Sequence, residues 1–292
     1  MSWSGGLAEW TSEDTAYISV VFSWLMPKAY QRAIWYQAAG YKVRAGGPAV
    51  WANRKYLSGI AELGGEVEAI TRHNKDATVA SRGCPVGCWF CVVPTMEGKE
   101  FTLYWDFTPR PILCDNNLSA LPIEFQEHII RRYQETGTPL LDANSGFEPH
   151  YFSEDSYARW KPIMRGPWRF ALDETKELDD VQRMMRLLKA EPASKKRVYV
   201  LIGNEPFDLC MERIRKVIEW GGEPHCQPVM ALNTLEKRPM IRHDWSEQLL
   251  TDVARWANRW IWRTVKFDDY KRSVKNESVF DLSGSRSFDF GD

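Results

Sequence analysis

The sequence predicts an α/β protein: a partial parallel (β/α)6 barrel with a short N-terminal β-α-β extension and a C-terminal helix. Three observations carry this expectation. From Ala77 onward, apolar runs of strand length alternate with amphipathic helical stretches six times, the pattern of a parallel sheet with helical crossovers. Gly, Pro, Asn and Asp punctuate the joins. Polar residues follow the C-terminal end of nearly every expected strand, the rim that carries the chemistry of parallel barrels. The expected boundaries are residues 1–75 for the extension, 76–265 for the barrel and 266–292 for a polar tail.

In the extension, Ala16 to Phe22 is rich in β-branched and aromatic residues and reads as a buried strand. Pro27 opens a helix through Ala39, with Gly40 as its stop. Tyr41 to Ala45 is a second strand, closed by Gly46-Gly47-Pro48, and together they form a right-handed β-α-β unit. Tyr56 to Leu63 reads as a short helix. In the barrel, Ala77 to Ala80 is a short strand, and Phe101 to Trp105 is either a strand or an extended loop. Pro111 to Cys114 is an apolar strand, followed by the helix Pro122 to Tyr133 with Phe125, Ile129, Ile130 and Tyr133 on one face. Pro139 to Leu141 is the next strand, and Ser153 caps the helix after it. Strand Trp168 to Leu172 leads to helix Leu178 to Leu188. Strand Arg197 to Ile202 leads to helix Pro206 to Trp220. Gln227 to Leu232 is the last strand, and Ser246 caps a long helix. The tail from Lys271 is polar and Gly/Ser-rich, which predicts mobility.

Composition narrows the function. A net charge of −1 over 292 residues gives no global basic field, so wholesale electrostatic binding of nucleic acid is not expected. Local basic spots remain at Arg131-Arg132 and Lys195-Lys196-Arg197, and the bland reading is solvated helix and turn charge. No stretch approaches the ~20 apolar residues of a membrane span, and the N-terminus lacks the pattern of a signal peptide. The six cysteines are therefore expected to be reduced thiols or metal ligands in a cytoplasmic protein.

Three of those cysteines, Cys84, Cys88 and Cys91, fall on one loop with the spacing C-x3-C-x2-C. Three thiols so close always leave one over from any disulfide set. A structural zinc site usually takes four ligands from two short pairs, whereas an iron–sulfur cluster takes thiolates at its irons. With three protein ligands, one iron of a 4Fe-4S cluster stays open, an arrangement suited to catalysis.

This spacing, on a loop after the first barrel strand, resembles the radical S-adenosylmethionine (SAM) superfamily, over roughly residues 77–265. The resemblance implies that Cys84, Cys88 and Cys91 ligate a 4Fe-4S cluster whose open iron chelates S-adenosyl-L-methionine. Phe90, the aromatic before the third cysteine, then lies near the adenine. Asp115-Asn116-Asn117 stands where the family usually has Gly-Gly-Glu to receive the SAM amino group, so Asn116 and Asn117 become candidates. Asn144, Asp173 and Glu174 are candidates for the ribose hydroxyls, and Arg169 for the SAM carboxylate. Gly203 and Glu205 occupy the adenine-side turn. Trp89 and Trp105 are the expected rim aromatics. Structural readings stand beside these: the asparagines suit a turn, and Asp173 and Glu174 suit a helix start.

Within the superfamily the likeness is to the cobalamin-associated subgroup, through Val43 to Pro48. The Asp-x-His-x-x-Gly signature is absent, and none of His73, His128, His150, His225 and His243 stands in its context. The resemblance therefore implies a truncated, cobalamin-free relative. It further implies reductive cleavage of SAM to methionine and a deoxyadenosyl radical, which abstracts hydrogen from a nucleic acid, nucleoside, peptide or small metabolite. An electron donor such as a flavodoxin or ferredoxin is the implied partner. The competing class is a non-enzymatic iron–sulfur or zinc module.

Overall fold

A computed structural model describes residues 2–64 and 69–270. The expected mobile tail from Lys271 lies outside the described residues.

The N-terminal unit is a four-stranded sheet in the order β1-β2-β3-β4. It is built from β1 (Leu7–Ser12), β2 (Thr15–Val20), helix α1 (Met26–Ala38), β3 (Lys42–Gly46), helix α2 (Pro48–Ala52) and β4 (Glu62–Leu63). The β2-α1-β3 crossover is parallel, as the alternation of strand and helix requires. Two features depart from expectation. β1 pairs antiparallel with β2 as a hairpin. Its outward Glu9, Thr11 and Ser12 dilute the apolar signal that marks a strand. The expected helix from Tyr56 to Leu63 is absent: a 3-10 turn at Arg54–Tyr56 is followed by turns and then β4. Leu57 serves the core from that turn instead, packing with Ile18, Val20, Met26, Ala33 and Val43.

The second unit begins with helix α3 (Ile70–His73), β5 (Ala77–Thr78), β6 (Ser81–Arg82), helix α4 (Val93–Met96), β7 (Thr102–Leu103) and β8 (Ile112–Leu113). It continues with α5 (Ile123–Thr136), β9 (Asp142–Ala143), α6 (Glu154–Trp160), β10 (Trp168–Leu172), α7 (Leu178–Leu187), β11 (Lys196–Ile202), α8 (Phe207–Glu219), β12 (Glu223–Pro228) and α9 (Glu247–Asn258).

The expected partial barrel of radical SAM type is not what forms. The parallel strands fall into two separate three-stranded sheets, β5-β8-β9 and β10-β11-β12, and β6-β7 is a two-stranded antiparallel ribbon. Among the described residues, only the isolated bridges Leu140↔Met164 and Phe147↔Phe170 join the chain flanking β9 to β10 and the chain before it. No barrel closes. The physical reason lies in short ladders interrupted by proline. β5, β8 and β9 are two residues each, and Pro111, Pro139 and Pro167 sit just before β8, the Leu140 bridge and β10 with no N–H to donate. The last strand also starts earlier than expected, at Glu223, and Gln227 lies near its end.

The main core lies between these sheets and helices α5 to α9. Phe125, Ile129 and Tyr133 of α5 meet an aromatic cluster of Phe147, Phe152, Trp160, Trp168 and Phe170. Edge-to-face contacts at 5.0–5.7 Å within it add to the area buried. The helix N-termini behave as their sequence implies: Ser153 and Ser246 accept the Ser156 and Leu249 amides at 3.2 and 3.1 Å. Among the described residues, no helix is long and apolar enough to cross a membrane.

Candidate metal and cofactor site

The cysteine loop is an excursion within the β6-β7 ribbon. Ser81 and Arg82 pair with Leu103 and Thr102, and the chain between them carries all three cysteines and α4. The neck is closed by Cys84 N–H donating to Gly98 O at 3.2 Å and Gly83 N–H donating to Glu97 Oε2 at 2.9 Å. Gly83 has φ +92, and a Cβ there would meet Glu100 O at 2.1 Å. Only glycine fits that approach. Gly83→Ala is expected to cost at least about 1–2 kcal/mol from the left-handed backbone alone. It should open the neck, read as a lower melting temperature together with lower iron content after reconstitution.

Asp115 anchors the loop from below. Buried at 1% exposure, its carboxylate accepts the Ala80 amide at 2.7 Å and the Ser81 hydroxyl at 2.6 Å. Burial lifts its pKa to about 6, against the lowering effect of those hydrogen bonds and of Arg82. The folded-state value lies above the unfolded one, so ionisation opposes folding. Stability from this group is full below about pH 4 and declines as pH rises through about 6. Asp115→Asn is expected to flatten that part of the stability profile between pH 4 and 7, measured by urea denaturation. An unchanged slope would contradict it.

The structure assigns structural work to several residues expected at a cofactor. Asn116 donates to Gly83 O at 3.2 Å and also binds Glu97, closing the neck. Asn117 accepts from Ser119 and Ala120 at 3.2 Å each, and its amide faces Cys84 Sγ at 3.8 Å. Arg169 is held by Asp142 at 2.6 Å and by the Tyr199 hydroxyl. Glu205 is bound by the Thr175 amide and hydroxyl and pairs with the fully buried Arg213 at 3.1 Å. Gly203 makes a left-handed turn at φ +87, with Leu250 3.0 Å from where a Cβ would stand. Trp105 packs on Phe125 and His128 of α5.

Phe90 lies on the cysteine loop itself, and Asp173 acts on two of its thiols. All three cysteines are free and half-buried. The Cys91 amide donates to Cys88 O, and Cys91 Sγ accepts the Val93 amide at 3.4 Å. Phe90 lies edge-on to Trp89, whose ring is covered by Arg242 at 4.7 Å and whose indole binds Glu174. Asn144 is exposed at the end of β9, with its amide 3.8 Å from Cys114 Sγ. Asp173 follows β10 and acts on both Cys88 and Cys91.

The electrostatics of this region are those of buried negative charge. Burial first, then Asp173, Cys91, Glu148 and Cys84, push the Cys88 thiol up to about 12, and burial also raises Cys91. Burial, Glu177 and Glu148 lift Asp173 to about 7. Burial likewise raises Glu148 and Glu177. Sequence reading missed Glu97, Glu148 and Glu177. Only Glu177 carries a signal, as the third residue after Glu174 in a capping box.

The donor set fits an iron–sulfur cluster. Three unpaired thiols share one clamped loop, and ionising Cys88 and Cys91 there calls for positive charge of the kind iron supplies. Among the described residues, no three His, Cys, Asp or Glu side chains converge on a single-ion point. A four-iron cluster spreads its thiolates over separate irons and does not require that convergence. No protein-family model matches the chain, and no curated protein resembles it at a significant level.

Proposed function

We propose that the protein is a radical SAM enzyme, with Cys84, Cys88 and Cys91 holding a 4Fe-4S cluster and one iron left open to S-adenosyl-L-methionine. The observation that carries the reading is the set of three free thiols on one loop, clamped at its neck and anchored through Asp115. Such a cluster supplies one electron for reductive cleavage of the SAM sulfonium bond. The protein's own residues supply position and exclusion of water. Glu97, Asn116 and Gly83 fix the loop against β8.

Asp173 and Glu148 act on Cys88 as negative charge, which favours a cationic cofactor such as a sulfonium bearing an ammonium group. Trp89, tied to Arg242 and Glu174, covers one side of the loop. Phe90 and Asn144 remain the candidates for the adenosine. Arg169 and Glu205 are already committed to Asp142 and Arg213.

Three of the basic residues considered for nucleic acid are engaged by backbone carbonyls or buried. Arg132 donates to Phe107 O, Lys195 binds Arg165 O and Lys196 is buried. Anaerobic reconstitution with iron and sulfide tests the cluster. About four irons per chain are expected. One zinc and no iron would contradict it.

A further inference from the structure

The start of β11 carries a second concentration of charge. Arg169 and Arg197 are register partners on β10 and β11, so two guanidiniums leave neighbouring strands at one level. Arg169 is engaged by Asp142 through Nη2 at 2.6 Å. Arg197 is not: its carboxylate partner, Glu223, lies 3.8 Å away, beyond hydrogen-bond reach. Glu223 is meanwhile engaged by Arg263 at 2.7 Å. Among the described residues the Arg197 guanidinium finds no hydrogen-bond acceptor.

A pocket of about 110 Å³ opens beside it, lined by Arg197, Glu223, Pro224, His225, Asn258 and Trp260. Asn258 is fixed there, accepting the Cys226 amide at 2.7 Å and donating to Cys226 O at 3.0 Å. Trp260 holds a left-handed backbone, φ 53, a conformation that a bulky residue keeps only where its surroundings enforce it. His225 reports the local field. Burial, Arg197 and Arg169 hold its pKa at about 4, so the ring is neutral at pH 7 beside two positive charges.

We propose that this pocket is an oxyanion site, in which Arg197 binds the phosphate or carboxylate end of a small molecule. Its volume is well below the roughly 300–1,000 Å³ of pockets that enclose a drug-sized ligand, so it takes one terminal group. A planar guanidinium with free donors matches such a group in two-point fashion. The site is separate from the cysteine loop. Five residues of β11 lie between Arg197 and the turn at Gly203, so about 20 Å separates them at ~3.3 Å per step. The proposal therefore stands or falls independently of the cluster.

The test uses the full chain with labelled histidine. The His225 ring signals, identified by their loss in His225→Asn, are followed by NMR at pH 7 and constant ionic strength. Inorganic phosphate and acetate are added in separate titrations. Saturable movement with either supports the site, and the tighter anion names the group it takes. Arg197→Gln should weaken binding about tenfold or more, the scale of one charge-assisted hydrogen bond. Arg197→Lys, which keeps the charge but loses the fork, should weaken it less, and Lys195→Gln should leave it unchanged. No saturable movement with either anion, or an undiminished response in both Arg197 variants, would overturn the proposal.

Discussion

Cys88→Ala is expected to lose the cluster: iron after anaerobic reconstitution should fall from about four per chain to below one. Cys88 sits between Cys84 and Cys91 on a loop whose neck is closed by Gly83, Glu97 and Gly98, so no other thiol on that loop can replace it. The three remaining cysteines are buried, and Cys114 follows β8 with its thiol against the Asn144 amide. Cys210 lies against Arg213 and Asn204, and Cys226 on β12 against Asn258. Cys210→Ala and Cys226→Ala should therefore keep their iron and lose only stability. If Cys88→Ala retains full iron while Cys226→Ala loses it, the ligand assignment is wrong.

Glu205→Ala is expected to lower folding stability by about 3–5 kcal/mol, the cost of leaving a buried charge without its partner. Arg213 is fully buried on α8. It donates to Leu172 O at 2.7 Å and to Asn204 Oδ1 at 3.1 Å, and it pairs with Glu205 at 3.1 Å. Those contacts tie the end of β10 and the turn after β11 to α8. Without the carboxylate, the guanidinium keeps its carbonyl but loses its counter-charge, and the Thr175 amide loses its acceptor. Glu205→Gln should fall between wild type and alanine, since an amide oxygen still accepts. Urea denaturation measures both. A loss below about 1 kcal/mol in the alanine variant would mean that the pair is solvated, as surface pairs are.

The same residue shows where sequence reading stops. Glu205 is a cofactor candidate in sequence because its turn, Leu201 to Glu205, resembles the adenine-side turn of the radical SAM family. Its engagement by Arg213 depends on a helix whose buried arginine is indistinguishable, in sequence, from a solvated one. Asn116 fails similarly: its role as a clamp depends on Glu97, which is distant from it in sequence and carries no motif. The helices were legible because α5, α8 and α9 each carry a clear apolar stripe. Sheet organisation was not. Alternating strands and helices suggest one continuous parallel sheet, but two-residue strands, with prolines before β8, the Leu140 bridge and β10, divide into small sheets joined by single bridges. The cysteine spacing was legible because it is local. The buried carboxylates that accompany it, Glu148 and Glu177, reach Cys88 and Asp173 only through the fold.

The most direct measurement is of SAM itself. Reconstituted protein, reduced anaerobically and supplied with SAM, is predicted to release 5′-deoxyadenosine and methionine in equal amounts, and the Cys88→Ala variant to release neither. SAM left intact by wild-type protein that carries its full complement of iron would contradict the account.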